Sequence, residues 1–281
     1  MATRLSPSSR TIRIELLSPA SFSPFGEVIQ NPAKNDGAPR LESSVANQGS
    51  AKKWLDVTKM QNWYELGSSK RPAKVVMNMF VCKPRQLDIR DGRNVFSVRI
   101  LERHPFTPQT FVPMGLGGRD EMTCYMVIVA PTLPLRSGKE SKAETPTPAY
   151  PVPTPLRKRS LKDRLLGTRP NPFTNDFSAR TTPTVEWSHA PRPKGAGLPD
   201  LDNIRAFIAR GDQAVTYGAG TWHAPMVVLG KQEIDFVVVQ YANGVANEDC
   251  QEVMLDGDTG QDGVAVEVDR FFEQDWLRAR L

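Results

Sequence analysis

ILERHPFTPQTFVPMG, residues 100–115, sets a charge and an imidazole where the surrounding pattern asks for apolar side chains. Alternate residues of an extended chain face opposite sides. Counting from Phe96, one face holds Phe96, Val98, Ile100, Glu102 and His104, and the other holds Ser97, Arg99, Leu101 and Arg103. The more apolar face thus runs straight into Glu102 and His104. A carboxylate in an interior needs a cation, a metal or hydrogen-bond donors, because an unpaired buried charge is very unfavourable. Pro105 and Pro108 then turn the chain, and QTFVPM heads back as the second arm of a hairpin with Gln109 and Phe111 on one face. The pattern places Glu102, His104 and Gln109 near one hairpin mouth.

A second stretch, GDQAVTYGAGTWHAPMVVLGKQEIDF (211–236), supplies the complement. Gly218 and Gly220 make a tight turn that presents Trp222 and His223. Strand pairing between the two stretches would assemble Glu102, His104, Gln109 and His223. Two imidazoles, a carboxylate and an amide oxygen form a candidate octahedral metal site with positions open to substrate. The same four groups, without a metal, can be a buried hydrogen-bonded cluster.

Short segments rich in Val, Ile, Phe and Tyr surround these stretches. KVVMNMFVCK (74–83), NVFSVRILERH (94–104), QTFVPM (109–114), CYMVIVAP (124–131), QAVTYG (213–218), APMVVLG (224–230) and EIDFVVVQYA (233–242) read as strands bounded by Gly, Pro or Asn. Many short strands at hairpin-like spacing predict a mainly β sandwich or barrel. Three helices flank it in this reading. Ser18-Pro19 opens one that closes at Gly26. DLDNIRAFIARG (200–211) places Leu201, Ile204, Phe207 and Ile208 at helical spacing. The tail DRFFEQDWLRARL forms the third.

Residues 136–197 differ from the rest. They carry 12 basic against 5 acidic residues and ten of the 24 prolines. The remainder of the chain holds 24 basic and 26 acidic residues, so the net charge of +5 belongs to this segment. TPTPAYPVPTP cannot pair in a sheet or sustain a helix, and the segment is expected to be a largely disordered insertion. It divides the chain into 1–135, the insertion, and 198–281. One short basic helix is expected at 157–167. No aromatic residues interleave with its charges as a nucleic-acid platform requires, so it reads as a solvated surface decoration. His189 also lies here without partners.

No run of about 18 apolar residues exists, so no membrane-spanning helix is expected. Met-Ala-Thr-Arg-Leu-Ser lacks the apolar stretch of a secretory leader. Cys82, Cys124 and Cys250 are odd in number and lack CxxC spacing, which argues against a disulfide framework or structural zinc and for a reducing compartment. The terminal Ala-Arg-Leu is similar to a peroxisomal address, so the expected location is cytoplasmic or peroxisomal.

The two stretches resemble the paired motifs of cupins. The first motif, His-x-His…Glu…Gly, corresponds to Glu102, His104, Gln109 and Gly115; the second corresponds to Gly211, Gly218, Gly220 and His223. Two ligand types differ from that pattern, and Gly218 stands where the motif has proline. The combination of ILERHPFTPQTFVPMG, IRAFIARGDQAVTYGAGTWHAP and Ala46-Asn47-Gln48-Gly49 resembles the ureidoglycolate lyase family, from about Leu16 to about Glu252. That resemblance implies a cupin-like β-barrel, commonly a homodimer, that splits ureidoglycolate into glyoxylate and urea in allantoin catabolism. The long insertion suggests a fungal branch.

On this reading His104, His223 and Glu102 are the catalytic candidates. Glu102, His104, Gln109 and His223 are the ligands if a divalent metal is bound. Gln109, Tyr217, Asn47 and Asp235 are the substrate-binding candidates. Positive charge for a substrate carboxylate comes from a metal, from Lys53 or from Arg103. Strand alternation puts Arg103 on the opposite face from Glu102, as a surface or interface arginine. Asn47, Gln48 and Gly49 offer amide donors or plain turn chemistry. Trp222 reads as packing. The alternative function is a non-catalytic cupin-type module that binds a small carboxylate.

Overall fold

The computed structural model describes residues 3–34, 41–115, 123–133, 194–256 and 263–269. These belong to one compact unit, Met1–Leu135 with Pro193–Leu281. The insertion up to residue 193, with the short helix expected at 157–167 and His189, and the helix expected of the C-terminal tail after residue 269 lie outside the described residues.

The unit is mainly β. The strands are β1 (Thr3–Leu5), β2 (Arg10–Leu16), β3 (Gly26–Ile29), β4 (Ser43–Ala46), β5 (Ala51–Trp54) and β6 (Lys74–Cys82). Next come β7 (Asp88–Arg90), β8 (Arg93–Ser97), β9 (Ile100–Arg103), β10 (Gln109–Met114), β11 (Cys124–Ala130) and β12 (Arg205–Ala209). The last are β13 (Ala214–Tyr217), β14 (Trp222–His223), β15 (Val227–Leu229), β16 (Ile234–Ala242), β17 (Gln251–Leu255) and β18 (Val264–Glu267). Two single-turn helices accompany them, α1 (Pro19–Phe22) and α2 (Ala246–Asp249).

An 11-stranded sheet runs β1-β17-β9-β14-β11-β12-β2-β18-β8-β7, with β15 on β11. A 5-stranded sheet runs β3-β13-β10-β16-β6, and β4 and β5 form a separate hairpin. β8 and β9 follow each other in the chain yet pair with distant members of the large sheet, β18 and β17. The large sheet therefore bends round to bring those members together. Its concave side encloses one core, which includes Phe96, Leu101, Met126, Ile128, Ile208, Trp222, Val253 and Val266. Its other side meets the 5-stranded sheet across a second core of Phe111, Tyr125, Val127, Val129, Phe207, Tyr217, Phe236 and Val238. Each fully buried large side chain contributes about 1.5–3 kcal/mol. β11 feeds both cores by simple alternation, Met126 and Ile128 to one, Tyr125, Val127 and Val129 to the other.

Three expectations change. The helix expected at 200–211 is instead a one-turn 3-10 segment, Leu201–Asn203, capped by Asp200, followed by β12. β12 lies between β11 and β2 and sends Ala206 and Ile208 to one core and Phe207 to the other. A strand covered on both faces loses its polar alternation, and its apolar run then mimics a buried helix. The first helix does start at Ser18, whose hydroxyl oxygen accepts from the Ser21 amide, but it stops at Phe22. Gly26 already pairs within the small sheet, opposite Tyr217. Finally, β9 and β10 are not a hairpin: β9 belongs to the large sheet and β10 to the small one.

Candidate active site

Two of the places where the chain crosses from one sheet to the other lie side by side. The first runs from β9 to β10 through His104–Pro108. The second runs from β13 to β14 through Gly218–Thr221. Glu102 sits opposite His223 across β9 and β14, and Gln109 sits opposite Tyr217 across β10 and β13. Between these pairs the Gly220 amide donates to the His104 carbonyl at 2.8 Å. The second corner is closed by the Thr221 amide on the Gly218 carbonyl, 2.9 Å. Gly220 has φ +76, and a Cβ there would stand 2.8 Å from the Lys194 backbone nitrogen. Both the left-handed backbone and the close approach call for glycine.

Paired residues share a face, so these corners bring the expected side chains together. His223 Nε2 lies 3.6 Å from Glu102 Oε1 and 3.1 Å from Gln109 Oε1. The His104 and His223 rings are 5.7 Å apart between centroids. Ligand atoms of Glu102, His104 and His223 all lie within 4.8 Å of one another. Tyr217 stacks flat on His223, with centroids 4.0 Å apart and planes 10° apart. Its outer edge continues into an edge-to-face chain, Tyr217–Phe111–Phe236–Tyr125, which locks the His223 ring plane to the second core.

The two histidines differ in surroundings. His104 Nδ1 lies 2.6 Å from the Asp249 carbonyl oxygen, which has no proton, so Nδ1–H donates and Nε2 keeps its lone pair. That Nε2 is buried and has no partner among the described residues. Burial, then the neighbouring His223, push His104 down to about 4, so it is neutral at neutral pH. His223 has acceptors at both ring nitrogens: the Thr221 carbonyl at 2.9 Å from Nδ1, and the Gln109 and Glu102 oxygens at Nε2. A proton on Nε2 therefore has Gln109 as its acceptor and Glu102 beside it. Gln109 is oriented for it, because its Nε2 donates to Gln240 Oε1 at 2.8 Å. Burial raises Glu102, but the hydrogen bond with His223, then the electrostatic effects of His223 and His104, outweigh it, and the net shift is downward. Glu102 is ionised. Tyr217 is pushed up by burial and by Glu102, so it keeps its proton, and its hydroxyl also has no partner among the described residues.

Other candidates are placed elsewhere. Asp235 faces outward on β16, opposite Val81 and Met114, while Ile234 and Phe236 face the core. Asn47, Gln48 and Gly49 form the exposed tip joining β4 to β5, with φ of 48, 57 and 97. Lys53 is exposed on the same hairpin. No described contact brings any of these to the cluster. Arg103 does lie opposite Glu102, but it is 4% exposed and is not a surface residue. Its guanidinium donates to Gln251 Oε1, Gly195 O and Gly197 O, and lies 4.4 Å from the Trp222 ring. The concave core covers that face of the sheet, which alternation alone does not reveal. Trp222 packs there too, with its Nε1 on the Gly197 carbonyl.

Sequence reading missed three contributors. Gln240 interrupts the apolar run of β16, a signal that was legible. Asp249 acts through its main chain and leaves no such signal. Cys250 places its Sγ 4.0 Å from Glu102 Oε2. Burial, then Glu102, Glu252 and Asp249, push its thiol up to about 12, so it is a protonated neighbour and not a nucleophile.

The arrangement offers one bare imidazole nitrogen, one imidazole with an acceptor at each ring nitrogen and one carboxylate within reach of a single small molecule. It can take a proton at one point and give one at another. A family model described as ureidoglycolate lyase matches residues 9–260. The chain is 31% identical over 243 residues to the ureidoglycolate lyase of Schizosaccharomyces pombe, covering 86% of this chain and 91% of that protein. It is 32% identical over 259 residues to the enzyme of that name from Saccharomyces cerevisiae, covering 88% and 96%. The Burkholderia mallei protein is 28% identical over 230 residues, 82% of each chain. With the site geometry and these matches in hand, the chain belongs to the ureidoglycolate lyase family.

Proposed function

We propose that this chain cleaves ureidoglycolate into glyoxylate and urea, as a carbon–nitrogen lyase of the amidine-lyase type. The observation that carries the reading is the pair of unlike histidines, one neutral with a bare Nε2 and one with Nε2 facing Gln109 and Glu102, beside an ionised Glu102. Environments that push two titratable groups apart assign an acid and a base.

The substrate carbon bears a hydroxyl, a carboxylate and a ureido nitrogen. His104 Nε2 takes the hydroxyl proton. The O–H electrons form the new carbonyl, the C–N bond breaks, and its electron pair goes to nitrogen. His223 Nε2 gives that nitrogen its proton, and urea leaves. Glu102 lies beside His223 Nε2 and holds the ring in place through the transfer. Gln109 and the Tyr217 hydroxyl supply hydrogen bonds to the carboxylate or the developing carbonyl oxygen.

The same residues fit a divalent metal. Each histidine binds a backbone carbonyl through Nδ1, which directs Nε2 inward as in metal-ligating histidines. Glu102, His104 and His223 would hold the ion, with Gln109 beside them. When bound, it supplies a Lewis acid for the substrate oxygens. Ligation needs both imidazoles with a bare Nε2, so affinity rises with pH.

Assembly as a homodimer belongs to the proposal. β6 ends the small sheet, and among the described residues nothing pairs with its free edge. Val75, Met77, Met79 and Val81 are exposed on its outer face, and Val112 and Met114 of β10 are exposed on the same side beyond β16. A long apolar edge is an association hazard unless covered. Residues 75–81, VVMNMFV, read nearly the same in both directions about Asn78. An antiparallel two-fold pairing there sets Met77 against Met79 and Val75 against Val81 of the second copy, the self-complementarity an isologous contact needs.

The test is incubation of the purified protein with ureidoglycolate, with and without chelator. Equal release of urea and glyoxylate supports the lyase. Saturable binding without release favours the alternative, a cupin-type module that holds a small carboxylate.

A further inference from the structure

Asp249 touches His104 only through its main chain, and its carboxylate faces the other way. Oδ1 accepts from the Tyr64 hydroxyl at 2.7 Å and from the Asn243 amide at 2.9 Å, and Oδ2 accepts from the Gly244 amide at 2.8 Å. The Tyr64 hydroxyl also lies 3.1 Å from the Tyr241 carbonyl, but the carboxylate is the nearer acceptor. Tyr64 is 1% exposed, and its ring packs 5.7 Å from Phe106, inside the crossing that joins His104 to Gln109. One residue thus ties the site corner to α2, and α2 presents the carbonyl that meets His104.

α2 has four residues, too few to hold a helical turn by itself. Side-chain clasps hold it instead. Next to Asp249, Glu248 accepts from Ser68 Oγ, from the Ser69 amide and hydroxyl, and from Asn243 Nδ2. The position of the Asp249 carbonyl is therefore set by contacts outside the helix.

We propose that Tyr64 and Asp249 are positioning residues: their side-chain pair holds the Asp249 carbonyl against His104 Nδ1, and so fixes the tautomer that leaves Nε2 bare toward the site. An imidazole that loses its acceptor at Nδ1 populates the other tautomer, and its site-facing nitrogen then carries a proton and cannot accept one. The catalytic consequence rests on the lyase reading above; the tautomer does not.

The chain has three histidines, so their imidazole nitrogens can be resolved by 15N NMR of the labelled protein with chelator present. In the wild type His104 is expected with a protonated Nδ1 and a bare Nε2. Tyr64→Phe keeps the ring on Phe106 and removes only the hydroxyl. It is expected to move a measurable fraction of His104 to the Nε2–H form and to leave the His223 signals in place. It should also lower kcat about 10-fold with KM within about 2-fold, the pattern of an interaction lost in the transition state. Asp249→Asn keeps an oxygen for Tyr64 and is expected to retain the wild-type His104 tautomer. A wild-type His104 in the Nε2–H form overturns the proposal. So does Tyr64→Phe with an unchanged His104 spectrum, even if its kcat falls, because the hydroxyl would then be only structural. A wild type without lyase activity leaves the NMR arm to decide, and that outcome is charged to the reaction and not to this pair.

Discussion

Glu102 and His223 are direct cross-strand partners on β9 and β14, and their side chains meet at 3.6 Å on the face that looks toward the small sheet. The pairing fixes both at once: neither can move along its strand without breaking the ladder. It also joins residues 121 positions apart in the chain, which is why each motif is chemically incomplete alone.

Replacing Glu102 by Gln removes the negative charge beside His223 Nε2 and keeps the shape. Turnover is expected to fall about 10²-fold, and a double variant with His223→Asn should be little slower than His223→Asn alone, since the two act as a unit. Steady-state kcat for the cycle checks this. Additive losses would separate the two roles.

The depressed His104 has a signed effect on stability. Its folded value is about 4 against an ordinary 6.5, so between those values the unfolded chain binds more protons. Stability therefore rises with pH across that window and is lost as pH falls from 6.5 toward 4. Chemical denaturation at several pH values should show this slope, and His104→Gln should flatten it. Activity should fail on the acid side in the same window.

Glu248 gives a second, lower window. Hydrogen bonds from Ser69, first from its hydroxyl and then from its amide, followed by Asn243, hold it down to about 2. Its contribution is present above the ordinary 4.5 and is lost as pH falls from 4.5 toward 2. Glu248→Gln should be less stable than wild type at pH 6 and nearly equal to it near pH 2, by the same denaturation series.

Metal affinity is expected to follow deprotonation. Titration of chelator-treated protein with Ni²⁺ or Mn²⁺ should show one site, tighter at pH 8 than at pH 6, with proton release on binding. Glu102→Ala should abolish it. Binding that survives this change would place the ion elsewhere.

The apolar edge of β6 predicts its own test. Met77→Asp with Met79→Asp should turn a dimer into a folded monomer by light scattering at micromolar concentration. A variant that stays dimeric, or a wild type that is monomeric, removes β6 as the contact.

Much of this was legible in the residues. β10 and β16 read at the observed bounds or within a residue of them, because one face of each meets the second core and alternation survives. β12 misread as a helix because both faces are covered. Glu102, His104, Gln109, Tyr217 and His223 were legible as polar groups inside apolar segments, but the single face drawn from Phe96 to His104 was not right: β8 ends at Ser97, β9 starts at Ile100, and Leu101 rather than Glu102 joins Phe96 and Val98 in the concave core. Arg103 misread because periodicity gives the side of a strand, not whether that side is open. Asp249 and Tyr64 were silent, since a backbone carbonyl and a loop tyrosine carry no periodic signal.

The most direct measurement is urea release from ureidoglycolate by wild type, His104→Gln and His223→Asn, each shown to be folded by circular dichroism. The cluster account expects both variants to fall by about 10² or more in kcat. Folded variants that turn over at the wild-type rate would contradict it.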